Sequence, residues 1–258
     1  IMPSMTYWAS GLPALNLRAS VVFADIERHS LCIDPKDIER RITPRTKLIV
    51  AVHYAGHPCD MDPIMKIARK HKIKVLEDVS HAHGALYKGR KAGTFGHVSA
   101  MSLMTGKSFA IGEGGMLCTN DRRIYERAVA FGHYERTGLA TRYSNARAAI
   151  TLKELRPYSG LPMGGFKYRM MQFASALGRV QLKLYDKQMA EIQKAMNYFW
   201  DLLEGVPGIR SHRPPKGSGS TMGGWYAARG LYVAEELGGL PVARFCEAVR
   251  AEGLSTSP

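Results

Sequence analysis

The sequence predicts an α/β fold around a mostly parallel central sheet. Two observations carry that expectation: short β-rich runs alternate with helical segments through the first part of the chain, and Gly, Pro and charged residues separate them. With 258 residues and 45% hydrophobic content, the chain can bury a sizeable core, as one large domain or one and a half ordinary ones.

The elements follow in order. Ser20 to Phe23 is β-rich, Pro35 to Arg41 helical, Lys47 to Val52 β-rich, Asp62 to His71 helical and Ile73 to Leu76 β-rich. In the second helix Asp62 is the expected N-cap and Pro63 the first helical position, with Ile64, Ile67, Ala68 and His71 on one face. Glu77 and Asp78 then fall at the carboxyl end of a strand, where open α/β sheets place their ligands. Val98 to Leu103 reads as a further strand, running into a loop with Thr105, Gly106 and Lys107. Gly112, Gly114 and Gly115 permit a tight turn before the strand-like Met116 to Thr119.

Leu177, Val180, Leu184, Ile192, Met196, Phe199 and Leu203 keep helical spacing, so a long helix is expected from about Met170 to Leu203, connecting two lobes. Pro214 to Gly224 is a Pro- and Gly-rich loop. Leu231 to Val233 and the helix from Val242 to Ala251 begin a smaller α/β lobe. The expected division is a large domain over 1–195 and the start of a small one over 196–258, without internal repeats. Both ends read as cut, since the chain opens on the strand-like IMPSMTYWAS and stops just after VARFCEAVRAEG.

The formal charge of +14 fits a solvated basic surface or an anionic, phosphorylated or nucleotide-linked ligand. Nucleic acid is a poor partner, because the Lys and Arg residues are scattered and no binding signature accompanies them. The longest apolar stretches are broken well short of a membrane span and no signal peptide is visible, which gives a cytoplasmic expectation without membrane contact. Cys32, Cys59, Cys118 and Cys246 lie far apart and read as reduced thiols. His81 and His83 form an HxH pair that lacks a third metal ligand, so no metal is expected.

Two residues stand out chemically. Lys107 sits in a Ser/Thr/Gly loop at a strand end, and Asp78 ends another strand in the motif EDVSHAHG. Gly106 to Ser108 is not the end of a phosphate-binding P-loop, because that motif requires a glycine where this chain has Met101.

The run EDVSHAHGALYKGRKAGTFGHVSAMSLMTGKSFAIGEGGMLCTND resembles the DegT family of aminotransferases dependent on pyridoxal 5'-phosphate (PLP), which act on nucleotide-linked keto sugars and keto cyclitols. The resemblance extends from PSMTYW through VHYAGHPCDMDPI to GGFKYRMMQFASALGRVQL and GGWYAARGLYV. It implies a fold-type I PLP-transferase working as a homodimer with shared active sites. Lys107 would form the Schiff base with the cofactor and act as general acid and base, and Asp78 would pair with the pyridine nitrogen, holding it protonated. His81 would lie near the ring's phenolic oxygen, Ser102 would bind the phosphate, Tyr7 would stack on the ring face, and Glu113 would serve shape only. Tyr7 could alternatively pack in the core.

Two departures from the family pattern follow. Lys167 stands in GGFKYRM where many relatives carry an Asn that reaches the partner subunit's phosphate; a lysine can serve there as a point charge. The family's N-terminal Gly-Thr/Ser-Ala phosphate loop is not in this chain, so weak cofactor binding by the fragment alone is expected. The implied reaction transfers an amino group from Glu or Gln to a keto sugar or cyclitol. Other readings are a PLP-dependent sugar dehydratase, against which Lys107 argues because a His typically replaces that lysine, and a non-catalytic regulatory protein that kept the fold. The loop from Gly132 to Gly160 carries no derivable chemistry.

Overall fold

The structure, a computed structural model, describes residues 1–132, 150–158, 163 and 166–254. Strand β1 (Met2–Pro3) is followed by a short helix α1 (Leu12–Asn16) and by β2 (Phe23–Ala24), which pairs in parallel with β1. Helix α2 (Pro35–Arg41) starts where the sequence places it. The Asp34 carboxylate caps it by accepting from the Lys36 amide at 2.8 Å, and Pro35 fills the first turn. Strand β3 (Leu48–Val52), helix α3 (Met61–His71) and strand β4 (Lys74–Asp78) form a βαβ unit, β3 and β4 being parallel with Val52 opposite Asp78. A small hairpin, β5 (Leu86–Tyr87) and β6 (Arg90–Lys91), leads to β7 (Val98–Ser102), parallel to β4, and β8 (Gly115–Cys118) closes the sheet antiparallel to β7. At the other edge β1 lies along β3, where the Ile1 carbonyl accepts from the Val50 amide at 2.9 Å.

Beyond the sheet come α4 (Arg122–Gly132), the 31-residue α5 (Gln172–Leu202), the antiparallel pair β9 (Ile209–Ser211) and β10 (Gly230–Tyr232), and α6 (Val242–Ala251). The expected loop from Gly132 to Gly160 lies mostly outside the described residues.

The sheet's position follows from its sequence. Strand β3 reads LIVAV, and its residues from Ile49 to Val52 are buried, as a parallel strand covered on both faces requires. On one face Ile49, Ala51 and Val75 join Met61, Ile64, Ile67 and Ala68 of α3 in one core cluster, each large side chain contributing roughly 1.5–3 kcal/mol by leaving water. On the other face Val50 and Val52 pack with Met2, Leu48 and Leu76.

The start of α3 corrects the sequence expectation. The N-cap is Asp60, not Asp62. Asp62 lies in the first turn and pairs with Lys88 at 2.6 Å, while Pro63 is the third helical residue, a place where a missing N–H costs nothing because the first-turn amides have no partner within the helix. The Asp60 carboxylate accepts from the Tyr87 hydroxyl rather than capping the helix by side chain. The β-run expected from Ser20 falls later, at Phe23–Ala24.

Strand β4 ends in two acids with opposite fates. Glu77 is fully buried and accepts from the Gly93 and Phe95 amides at 2.7 Å, from the Gly96 amide at 2.5 Å and from His53 Nε2 at 3.0 Å. His53 Nδ1 accepts from the Cys59 amide at 3.0 Å, so the Nε2 proton is the one donated to Glu77. Burial pushes the Glu77 carboxyl up, but His53 and the Gly96 and Gly93 amides outweigh it and hold the carboxyl below the usual glutamate range. Its contribution to stability is therefore present above the unfolded-state pKa and lost as pH falls through the folded one.

Glu77→Ala in the complete protein would orphan those buried donors at once. It is expected to lower the unfolding free energy by about 3–5 kcal/mol in urea denaturation. A loss below about 1 kcal/mol would show that the 93–96 turn does not depend on this carboxylate.

Candidate active site

The parallel strands β3, β4 and β7 end side by side, and the chemistry-bearing residues gather just past those ends. Asp78 closes β4. Its Oδ2 accepts from the Ser10 hydroxyl at 2.8 Å, its Oδ1 from the Ser80 amide at 3.0 Å, and its backbone carbonyl from the His53 amide at 3.1 Å. The Ser10 hydroxyl also meets Thr6 Oγ1 at 2.8 Å, which fastens the 6–10 segment to the strand end.

Lys107 is half-buried in the loop after β7, its amide donating to the Met104 carbonyl at 2.9 Å. Burial lowers the ammonium's pKa, and the negative charge of Asp78 partly opposes this. The Nζ stands 4.7 Å from the centre of the Tyr226 ring. On that same ring the His81 imidazole stacks at 3.8 Å with 5° between planes. Asp78, Lys107, His81 and Tyr226 thus share one place.

His81 accepts through Nδ1 from the Ala55 amide at 3.3 Å, so a neutral ring carries its proton on Nε2, free to donate. Burial, then the Lys107 charge, pushes its pKa down to about 4. His83 is likewise driven down to about 4, chiefly by burial and further by Lys107, although its hydrogen bond to the Ser102 carbonyl works the other way. Ser102 ends β7 beside these groups: its amide donates to the Ser80 hydroxyl at 3.0 Å, and its own hydroxyl accepts from the Met104 amide at 3.4 Å.

Tyr7 and Lys167 lie at the surface of the described residues. Tyr7 is 61% exposed with its ring tilted over Trp8, outside the core that the described residues form, and Lys167 is exposed on the segment leading into α5. Glu113 is exposed on the glycine turn.

Sequence reasoning did not single out Tyr226, Ser10 or Arg229. The guanidinium of Arg229 lies 5.5 Å from the Tyr54 ring, and its charge helps depress His81. The run GGWYAARG contained the only signal for Tyr226 and Arg229, and Ser10 had none.

A donor set of this kind fits PLP. It offers an amine on a loop, a carboxylate fixed by a hydroxyl and an amide, an imidazole N–H free to donate, aromatic faces, and hydroxyls on Ser80 and Ser102 at the sheet's carboxyl edge.

A model of the DegT/DnrJ/EryC1/StrS aminotransferase family matches residues 1–258. The chain is similar to GDP-perosamine synthase of Escherichia coli O157:H7, 34% identical over 200 residues, covering 75% of this chain and 50% of that protein. It is similar as well to L-glutamine:2-deoxy-scyllo-inosose aminotransferase of Micromonospora echinospora, 33% identical over 252 residues, covering 98% of this chain and 58% of the relative. Among solved structures, an aminotransferase from Psychrobacter cryohalolentis superposes with a TM-score of 0.81 at 29% identity, covering 96% of this chain and 63% of the other. The chain spans about half the length of the curated relatives it matches.

The depressed imidazoles give a pH test. In a site-resolved NMR titration the His81 and His83 rings are expected to stay neutral from pH 8 down to about pH 5 and to titrate near pH 4. Because both fold with lowered pKa values, stability should fall as pH drops from the ordinary histidine range toward 4. Rings titrating near 6.5 would mean that Lys107 and burial do not act on them.

Proposed function

The chain belongs to the DegT/DnrJ/EryC1/StrS aminotransferase family, and from that premise we propose that the complete protein is a PLP-dependent aminotransferase. It would move an amino group from Glu or Gln to a keto sugar carried on a nucleotide or to a keto cyclitol. The observation that carries this reading is Lys107, half-buried with a lowered pKa, within the electrostatic reach of Asp78 and beside the stacked His81 and Tyr226 rings. Similarity to a GDP-perosamine synthase and to an L-glutamine:2-deoxy-scyllo-inosose aminotransferase supports the acceptor class.

When bound, PLP supplies an electron sink for the carbanion left when a proton leaves the amino donor's α-carbon. The residues supply everything around it. Lys107 would bond the cofactor until the donor amine displaces it; a lowered pKa then leaves more of its amine free to take the α-proton and return it one position away. Asp78 would hold a proton on the pyridine nitrogen, and the Ser10 and Ser80 bonds orient its oxygens for that task. His81 would donate from Nε2 to the ring's phenolic oxygen. Ser102 and Ser80 would meet the phosphate. The retained Lys107 disfavours the dehydratase reading, in which that residue is typically His.

Lys167 enters the proposal through a homodimer. Exposed Tyr7 would stack on the cofactor, and Lys167 would lend its charge to the phosphate in the partner subunit's site. The apolar surface of α5 and the segment before it supports association, for Phe173 is 82% exposed and Met171 63%. Cytoplasmic location is part of the same reading; among the described residues no helix is long and apolar enough to cross a membrane.

Borohydride reduction of the complete, PLP-loaded protein followed by peptide mapping tests the assignment. A pyridoxyl label on Lys107 is expected. Label on another lysine, or none, would remove Lys107 from the proposed role.

A further inference from the structure

Beneath Lys107 lies a buried knot of hydrogen bonds that the proposed chemistry does not use. The Nε2 of buried His83 stands 3.0 Å from the Ser102 carbonyl, which can only accept, so Nε2 carries the proton. The Nδ1 is left to accept from the Ser108 hydroxyl at 3.3 Å. With the Ser108 proton given to Nδ1, the Tyr185 hydroxyl is the donor to both acceptors it faces, Ser108 Oγ at 3.1 Å and the His83 carbonyl at 3.0 Å. The same carbonyl accepts from the Gly224 amide at 3.1 Å.

Each group comes from a different part of the fold. His83 follows β4, Ser102 ends β7, Ser108 is the neighbour of Lys107, Tyr185 lies in α5, and Gly224 belongs to the loop that carries Tyr226. The seat is tight: a Cβ on Gly224 would stand 2.5 Å from Ser108 Oγ and from the Tyr185 hydroxyl. Phe109, next in the chain, packs edge-on against the Tyr185 ring at 5.2 Å. Lys107 therefore projects from a backbone whose next two residues are both fixed to α5, and Tyr226 projects from a loop seated on the same carbonyl.

We propose that His83, Ser108 and Tyr185 are positioning residues for Lys107, acting as one unit that holds its amine in its half-buried place beside Tyr226. This rests on the reading of Lys107 as the reactive lysine. None of the three needs to touch substrate; they fix the loop that a mobile lysine would otherwise leave free to swing into water, where its ammonium is favoured.

The test uses the complete protein freed of cofactor. The rate at which trinitrobenzenesulfonate modifies Lys107 is followed by peptide mapping across alkaline pH in Ser108→Ala, Tyr185→Phe and the double variant, with thermal melting as the control for folding. Asp78, His81, His83 and Tyr226 face the same amine and are unchanged in all three, and α5 contributes Tyr185, on which the neighbouring Asp186 charge acts. Loosening the loop should raise the midpoint of the profile by about half a unit in each single variant, roughly a threefold drop in free amine at fixed pH. The double variant should shift no further, since both changes cut one knot. Profiles that superimpose on the parent's in folded variants would overturn the proposal, as would fully additive shifts. A pyridoxyl label found off Lys107 would remove the catalytic reading alone, and this profile would still be measurable.

Discussion

Everything near the site depends on how β4 ends. Consecutive strand residues face opposite ways, so Glu77 and Asp78 cannot share a fate. Glu77 turns inward, where the 93–96 amides and His53 satisfy it completely. That fixes the register which presents Asp78 toward Lys107. A slip of one residue would exchange the two acids, burying a carboxylate without those donors, at a cost far above that of a surface misfit. His53 strengthens the constraint twice over, through its ring to Glu77 and through its amide to the Asp78 carbonyl.

The electrostatics of the site follow from that placement. Half-buried Lys107 has Asp78 as the charge opposing its desolvation, and burial first, with the Lys107 charge adding to it, keeps the two histidine neighbours neutral. Neutral rings suit the arrangement, because each nitrogen then has a defined role: His81 accepts at one and can donate at the other, and His83 bridges a carbonyl and a hydroxyl. The charged chemistry is thereby confined to one amine and one carboxylate among groups that only donate, accept or stack.

Much of this was legible in the sequence wherever the signal was local. Helices α2 and α6 fall where the sequence reading placed them, and Lys107 and Asp78 were visible because a glycine loop and a strand-end acid are short-range patterns. The cap of α3 was misread because Asp60 and Asp62 are both plausible caps, and a lysine 26 residues away draws Asp62 elsewhere. Tyr226 was out of reach for another reason: its stack on His81 requires the 221–229 segment to fold back over a loop more than a hundred residues earlier. Tyr185 was hidden in the long helix, where an aromatic reads as packing until its hydroxyl is seen to meet Ser108 and His83. Ser10 is one hydroxyl in a loop, and only the paired approach of β1 and β3 brings its segment to Asp78.

The central claim is that the carboxylate which β4 presents governs the chemistry rather than the fold. Turnover by the complete protein carrying Asp78→Asn measures it most directly, with PLP content and thermal melting recorded on the same sample. The amide keeps the shape and the Ser10 contact but cannot hold the pyridine nitrogen protonated. The account predicts a folded protein that still takes up much of its PLP and loses most of its transamination; near-normal transamination by that variant would contradict it.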